Sequence, residues 1–198
     1  MNGHEHLVAL GGALEHLEDE LPRLERWGRK LALVLLEGGR LLTVGNGGSA
    51  AQAQHLTAEL VGRYMEDRPP FSGIALHADT SALTALVNDY GAEEAYARAV
   101  RAHGRPGDIL VALSTSGRSP NVLAATAAGR SLRIHVYALT GSAPNPLADA
   151  ADEAICVSGN TPTVQEVHQV IIHLLCEAFD SALLLPAARA DELNGTHL

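Results

Sequence analysis

The chain has 198 residues, of which 46% are hydrophobic, and a formal net charge of −9. This length suits one domain with a sizeable core, and the acidic balance disfavours nucleic-acid binding, which needs basic groups to displace counterions. Cys156 and Cys176 form no C-x-x-C pair, and no apolar run reaches the ~18 residues of a membrane span. The N-terminus lacks a basic region followed by an apolar one, so we expect a cytoplasmic protein.

A helical arm precedes the first predicted strand. Residues 5–37 carry leucines at helical spacing, and Pro22 interrupts them, which predicts two helices. From residue 39 onward, short apolar strands alternate with helices, which indicates a three-layer αβα sandwich around a five-stranded parallel sheet. The predicted strands are 40–44, 73–76, 108–113, 133–139 and 153–157. The predicted helices are 50–64, 81–88, 92–102, 121–129 and 163–185, followed by a loosely ordered tail from Pro186.

Two loops that follow strands have the composition of anion-binding turns. Residues 45–49 (GNGGS) come after the first strand and open a helix, so backbone N–H groups can surround an anion. A plain tight turn is an alternative, and Gly45, Gly47 and Ala50 also fit the G-x-G-x-x-A pattern of dinucleotide-binding turns. Residues 114–119 (STSGRS) place four hydroxyls between a strand and a helix, whereas an N-cap needs one. The second loop therefore predicts a phosphate monoester ligand.

Titratable side chains lie on two of the predicted helices. His55 and Glu59 are four residues apart on one helix face, which suits a metal site, an acid–base pair or an ordinary surface ion pair. The C-terminal helix carries Gln165, His168 and His173 in an otherwise apolar run, where a histidine is most often a hydrogen-bonded core residue. Spacing alone leaves these alternatives open.

In combination, these motifs resemble those of the sedoheptulose 7-phosphate isomerases (phosphoheptose isomerases) of the SIS, or sugar isomerase, superfamily. The resemblance covers nearly the whole chain and rests on GNGGSAAQAQHLTAELVGRY at 45–64, ALVNDYG at 85–91, GDILVALSTSGRSPNV at 107–122, LTG at 139–141 and QEVHQVIIH at 165–173. It implies one SIS domain of flavodoxin-like type, with an arm at 1–38, a core at 39–185 and a tail at 186–198. The implied reaction converts sedoheptulose 7-phosphate to D-glycero-D-manno-heptose 7-phosphate, or to a related heptose 7-phosphate, through an enediol.

The resemblance also implies roles for individual residues. Glu59 matches the general base and His173 the general acid. The zinc-binding positions of the family match His55, Glu59, Gln165 and His173. The residues implied to bind the sugar phosphate are Asn46, Gly47, Gly48, Ser49, Glu59, Asn88, Asp89, Ser114, Thr115, Ser116, Ser119 and Gln165.

Gln165 and His173 pose a geometric question, because eight residues of helix separate them by about 12 Å. If both bind one ion, either Gln165 lies at an irregular helix start or the two side chains come from different subunits. The second possibility predicts active sites at subunit interfaces, in line with the homotetramers of the family. Residues 160–163 (NTPT) lack the charges that family members often have there, which bears on the choice of heptose.

Three other interpretations compete with an isomerase. A non-catalytic SIS protein of the replication-initiator-associating type shares the loops but lacks the base and acid that match Glu59 and His173. A sugar-phosphate-sensing regulator needs a DNA-reading helix-turn-helix, for which the residues before 40 offer neither room nor basic charge. A Rossmann oxidoreductase is disfavoured by the serine-rich second loop. The sequence therefore favours an isomerase.

Overall fold

A parallel sheet forms the centre of the molecule. The computed structural model describes residues 2–194, with the backbone alone for residues 185–194. The strands are β1 Leu41–Val44, β2 Gly73–Ala75, β3 Ile109–Ser114, β4 His135–Gly141 and β5 Glu153–Val157. All neighbouring pairs are parallel, and the order is β2-β1-β3-β4-β5. This is the flavodoxin-like order, so the predicted fold class is confirmed.

The helices follow the expected alternation. They are α1 Gly3–Leu17, α2 Leu21–Leu36, α3 Gly48–Val61, α4 Thr80–Tyr90, α5 Ala92–His103, α6 Pro120–Ser131, α7 Pro146–Ala150 and α8 Thr161–Asn194. A short 3₁₀ turn, Glu18–Glu20, separates α1 from α2. Pro22 lies in the first turn of α2, where its missing N–H leaves no hydrogen bond unmade. The two predicted helices before the first strand are therefore present.

Helices cover both faces of the sheet. On one face α2, α3 and α8 bury a core in which Trp27 stacks on Tyr137, with ring centroids 4.1 Å apart. On the other face α5 and α6 pack residues such as Val100 and Ala125 against β1, β3 and β4. Because both faces are covered, the strands read as continuous apolar runs rather than as alternating ones.

Two elements differ from the sequence predictions. The final helix does not end at Leu185: α8 continues to Asn194, so residues 186–194 of the expected tail are helical. Residues 187–194 (AARADELN) are mostly good helix formers, which offsets the cost of Pro186. Residues 195–198 of the expected tail lie outside the described residues. The short helix α7 was not predicted; Asn145 caps it by accepting from the Ala148 N–H.

The apolar character of α8 follows from its position in the core. Contrary to the expectation that no apolar run reaches the length of a membrane span, the segment Thr161–Leu184 is long and apolar enough to cross a membrane, with a mean hydropathy of 1.3 over its most apolar 18 residues. In this chain the same helix packs against α2 and α3 and over the sheet, where Val167, Ile171 and Phe179 are fully buried. Burial in the core accounts for its hydropathy.

Candidate active site

The two loops predicted to bind an anion lie side by side at one edge of the sheet. The loop 45–49 follows β1 and the loop 114–119 follows β3, and these strands are neighbours, with Val44 in register with Ala112. The chain order reverses between β1 and β3, which makes this the topological switch point where open α/β sheets bind ligands. The positions of both loops agree with the sequence prediction.

The first loop is held in place by polar side chains of α5 and α6. Gly47 has a φ of +55° and begins α3 without a side-chain cap. The Ser49 N–H donates to the Asn46 carbonyl at 3.0 Å, which leaves the Gly48 N–H as the first group of α3 that can bind a ligand. The amides of Asn46 and Asn121 exchange two hydrogen bonds of 2.9 Å. The Tyr96 hydroxyl donates to the Gly45 carbonyl at 3.0 Å, and burial raises the pKa of Tyr96, which keeps this donor protonated. Neither Tyr96 nor Asn121 was predicted from the sequence as part of this site.

Three hydroxyls converge in the second loop. Ser114 Oγ lies 3.1 Å from Ser119 Oγ and 3.4 Å from Ser116 Oγ, and Ser116 Oγ accepts from the Arg118 N–H at 3.2 Å. Ser119 begins α6 without making a side-chain cap. The arrangement suits an oxyanion that accepts hydrogen bonds from these three hydroxyls beside the start of α6. Thr115, the fourth predicted hydroxyl residue, is partly buried in the same loop.

A buried histidine of α8 is linked to this loop, residues 114–119, through Thr140. His168 is fully buried, and its Nε2 lies 3.3 Å from the Thr140 carbonyl at the end of β4. Thr140 in turn donates its hydroxyl to the Ser114 carbonyl at 2.9 Å. Burial lowers the pKa of His168 to about 4, so the ring is neutral and donates from Nε2. His168 therefore connects α8 to the hydroxyl loop as a core residue.

A second polar group forms where α3 meets α8. His55 Nε2 lies 3.1 Å from Glu59 Oε1 and 3.1 Å from His173 Nε2. One ligand atom from each of the three residues lies within 4.8 Å of the others. Two imidazoles and a carboxylate match the donor set of zinc sites that keep a position open. The structure therefore brings the predicted base, the predicted acid and a third metal-ligand candidate together within one chain.

Neighbouring residues complete the surroundings of this triad. Gln169, one turn before His173 on α8, places its Nε2 3.1 Å from His173 Nε2. The rings of Tyr64 and His173 lie 5.6 Å apart, and burial followed by nearby acidic groups, first Glu177, raises the pKa of Tyr64. Burial also raises the pKa of Cys176 to about 12, so that thiol is inert. Gln169 was not predicted from the sequence, although its i, i+4 spacing to His173 is visible there.

Gln165 lies apart from the triad. Its side chain packs on Gly48, where an added Cβ would lie 2.5 Å from Gln165 Nε2, and its carbonyl accepts from Gln52. Gly48 is about 10 Å along α3 from His55. Since α8 already begins at Thr161, Gln165 is not at an irregular helix start. Its role as a ligand beside His173 stays a prediction that needs a second subunit.

Asn88 and Asp89 are exposed on α4. Asn88 donates to Asp89 Oδ1 at 2.8 Å, and no residue of α4 is buried in the described chain. Their predicted contact with substrate therefore remains a prediction, and it would require α4 to be approached by a ligand or by another subunit.

Comparison with known proteins defines the class. The SIS domain family model matches residues 8–141, which is more than half of the chain. Together with the flavodoxin-like sheet and the loops at its switch point, this match makes the chain a SIS-domain protein.

Similar proteins narrow the class further. The phosphoheptose isomerase of Streptomyces coelicolor is 64% identical over 160 residues, which cover 80% of this chain and 69% of that protein. The phosphoheptose isomerase of Thiobacillus denitrificans is 47% identical over 167 residues, covering 82% and 85%. The structure of a phosphoheptose isomerase from Francisella tularensis superposes with a TM-score of 0.84 at 33% identity, covering 90% of this chain and 96% of that one. Within the SIS domains, the chain belongs to the phosphoheptose isomerase family.

Proposed function

We propose that this chain is a phosphoheptose isomerase that converts sedoheptulose 7-phosphate to D-glycero-D-manno-heptose 7-phosphate or a related heptose 7-phosphate. The observation that carries the proposal is the meeting of Glu59 and His173 with His55, within 4.8 Å, at the junction of α3 and α8. The relatives named phosphoheptose isomerase support the substrate class. A non-catalytic role beside a replication initiator is not favoured, because both a base and an acid are present.

The chemistry requires two proton transfers. A base removes the proton on C1 of the ketose and returns it to C2, and an acid moves protons between the two oxygens through an enediol. The Glu59 carboxylate, whose side chain is 18% exposed, suits the first role. The His173 imidazole, with Gln169 and His55 at its Nε2, suits the second. A divalent metal, which we propose to be zinc, would be held by His55, Glu59 and His173 and would polarise the substrate oxygens.

The hydroxyl loop positions the substrate. We assign the phosphate to Ser114, Ser116 and Ser119, with the first loop and the start of α3 beside them. Hydroxyls and helix N-termini hold an anion without Lys or Arg, which fits a chain with a net charge of −9. A phosphate held at a distance from the reacting carbons contributes orientation to the reaction.

We extend the proposal to a cytoplasmic homotetramer with active sites at subunit interfaces. Eleven residues of α3 separate Gly48 from Glu59 by about 16 Å, a long span for one seven-carbon substrate within a single subunit. Val61 and Met65, which follow Glu59 along the chain, are 53% and 65% exposed, and exposed apolar groups beside a site favour cover by another chain. A neighbouring subunit would also bring its Gln165 to the triad.

Product analysis tests the proposal. Purified protein supplied with zinc and sedoheptulose 7-phosphate should yield an aldoheptose 7-phosphate, identified by NMR. Glu59→Gln and His173→Ala should each lower turnover by at least a thousandfold, because each removes a group that transfers a proton. Glu94→Gln, which alters an exposed ion pair with Arg101, and His16→Ala serve as matched controls. Near-native turnover in either triad variant, with the oligomer intact by size exclusion, would discard the assigned roles.

A further inference from the structure

Arg68 bridges the end of α3 and the side of α8. Its Nη2 donates to the Glu59 carbonyl at 2.7 Å, and its Nη1 donates to the Leu60 carbonyl at 3.0 Å. Its Nε donates to Asp180 Oδ1 at 2.8 Å. The Arg68 side chain is only 8% exposed, so these bonds are largely shielded from water.

The position of Arg68 follows from the helix terminus that it caps. α3 ends at Val61, and the last carbonyls of a helix have no partner within the helix. The C-terminal end of a helix also carries partial negative charge, which favours a cation there. The guanidinium also lies over two aromatic rings that pack edge to face, with Cζ 5.5 Å from the Phe71 centroid and 5.2 Å from the Phe179 centroid. These cation–π contacts help to hold it in place.

Two of the acceptors of Arg68 connect it to the proposed catalytic pair. One acceptor is the backbone carbonyl of Glu59 itself. The other, Asp180, stands seven residues, or about two turns, after His173 on α8. We propose that Arg68 is a positioning residue that sets the separation of Glu59 and His173 by tying the last turn of α3 to α8. The inference rests on the function proposed above for those two residues.

The geometry requires arginine rather than any cation. A guanidinium presents its donors in a rigid planar fork, and here three of its nitrogens reach three acceptors on two elements. A lysine ammonium is a point charge on a flexible stem and cannot hold all three at once. Arg68→Lys therefore keeps the charge and removes the fixed spacing.

The test separates positioning from stability. We compare Arg68→Lys with Arg23→Lys, since Arg23 also donates to a backbone carbonyl, that of Ala154 at 2.8 Å, and pairs with Glu20. Three quantities are measured: kcat and KM for sedoheptulose 7-phosphate, the zinc dissociation constant by competition with a chromogenic chelator, and Tm. We expect Arg68→Lys to lower kcat at least tenfold with KM within twofold, and to weaken zinc binding at least tenfold. Arg23→Lys should lower Tm with kcat and zinc affinity unchanged.

Variants of Asp180 provide a second line of evidence. Asp180→Ala removes the hydrogen-bonded link between Arg68 and α8 while leaving the bonds to α3 in place, so its kcat should also fall. Asp180→Asn keeps an oxygen acceptor for Arg68 Nε and should restore most of the kcat lost in Asp180→Ala. Native kcat and zinc affinity in Arg68→Lys would overturn the proposal. If the unmutated protein has no isomerase activity, the proposed function is refuted instead. The measurement of zinc affinity needs no turnover and would still decide the role of Arg68.

Discussion

Gly117 lies in the hydroxyl loop in a conformation that a side chain disrupts in two ways. Its φ is +60°, and an added Cβ would overlap Asn145 Oδ1 and lie 2.7 Å from Thr140 Oγ1. A left-handed conformation costs alanine about 1–2 kcal/mol. Asn145 is buried, caps α7 and donates to the carbonyls of Gly141 and Ser142 at 3.2 Å each, so moving it breaks these hydrogen bonds.

The magnitude for Gly117→Ala follows from these two contributions. Displacing the Asn145 cap costs about 1 kcal/mol, and the buried Gly141 carbonyl left without its donor costs about 1 kcal/mol or more. With the backbone strain, we expect the free energy of unfolding to fall by about 3–5 kcal/mol. Because the loop carries Ser116 and Ser119, its displacement should also raise KM for the sugar phosphate at least tenfold.

Gly107 offers a matched control for this prediction. Its φ is +91°, but an added Cβ would have no atom within 4 Å, and the residue precedes β3 at the opposite end of the sheet from the loops. Gly107→Ala should therefore lower the free energy of unfolding only by the cost of the backbone strain, about 1–2 kcal/mol, and KM should not change. Urea unfolding and steady-state kinetics measure both effects. Equal loss of stability in the two variants, with KM unchanged in both, would refute the account of the loop.

Three further predictions follow from other parts of the structure. Gly28→Ala should destabilise by about 1–3 kcal/mol in urea unfolding, because the new Cβ would lie 2.5 Å from Ala178 Cβ at the α2–α8 contact, whereas Gly12→Ala, on open helix surface, should stabilise by a few tenths to 1 kcal/mol; equal effects would contradict this packing. Ser116→Ala should raise KM about tenfold with little change in kcat, as expected for one hydrogen bond to a charged group, and an unchanged KM would count against the phosphate assignment. Burial lowers the pKa of His168 to about 4 from 6.5, so the unfolded chain binds more protons between those pH values. The stability that neutral, buried His168 provides is fully present above pH 6.5, and about 3 kcal/mol of it is lost as the pH falls toward 4. In His168→Asn, the free energy of unfolding measured in urea should therefore depend less on pH than in the native chain.

The fold could be predicted because the pattern of each predicted strand and helix agreed with a parallel sheet covered by helices. Runs such as Ile109–Leu113 are apolar on both faces, which only a sheet covered on both sides explains. The glycine- and serine-rich composition of the loops after β1 and β3 is visible in the sequence. Because the carboxyl ends of parallel strands meet at one edge of the sheet, the shared location of the two loops could also be predicted. The helix α7 was missed because five residues give no periodicity, although Asn145 and Pro146 form a recognisable helix start.

The site was predictable only in part, because its pieces meet through packing. The spacing of His55 and Glu59 is local and was visible in the sequence. That His173 lies beside them depends on how α8 crosses α3, and the residues alone left it open; the family resemblance supplied it. Tyr96, Asn121 and Arg68 were missed for the same physical reason, since each acts on an element far from it in the sequence.

The contacts between α3 and α8 occur at three successive levels, which together set the spacing between the first loop and the His55–Glu59–His173 triad within one subunit. Gln165 meets Gly48 at the first level, the histidine pair forms the second, and Arg68 reaches Asp180 at the third. Because the helices run side by side in the same direction, each level constrains the next, and a shift at either end moves the middle. Gly48 at the first level and the guanidinium of Arg68 at the third therefore help to set the position of the triad between them.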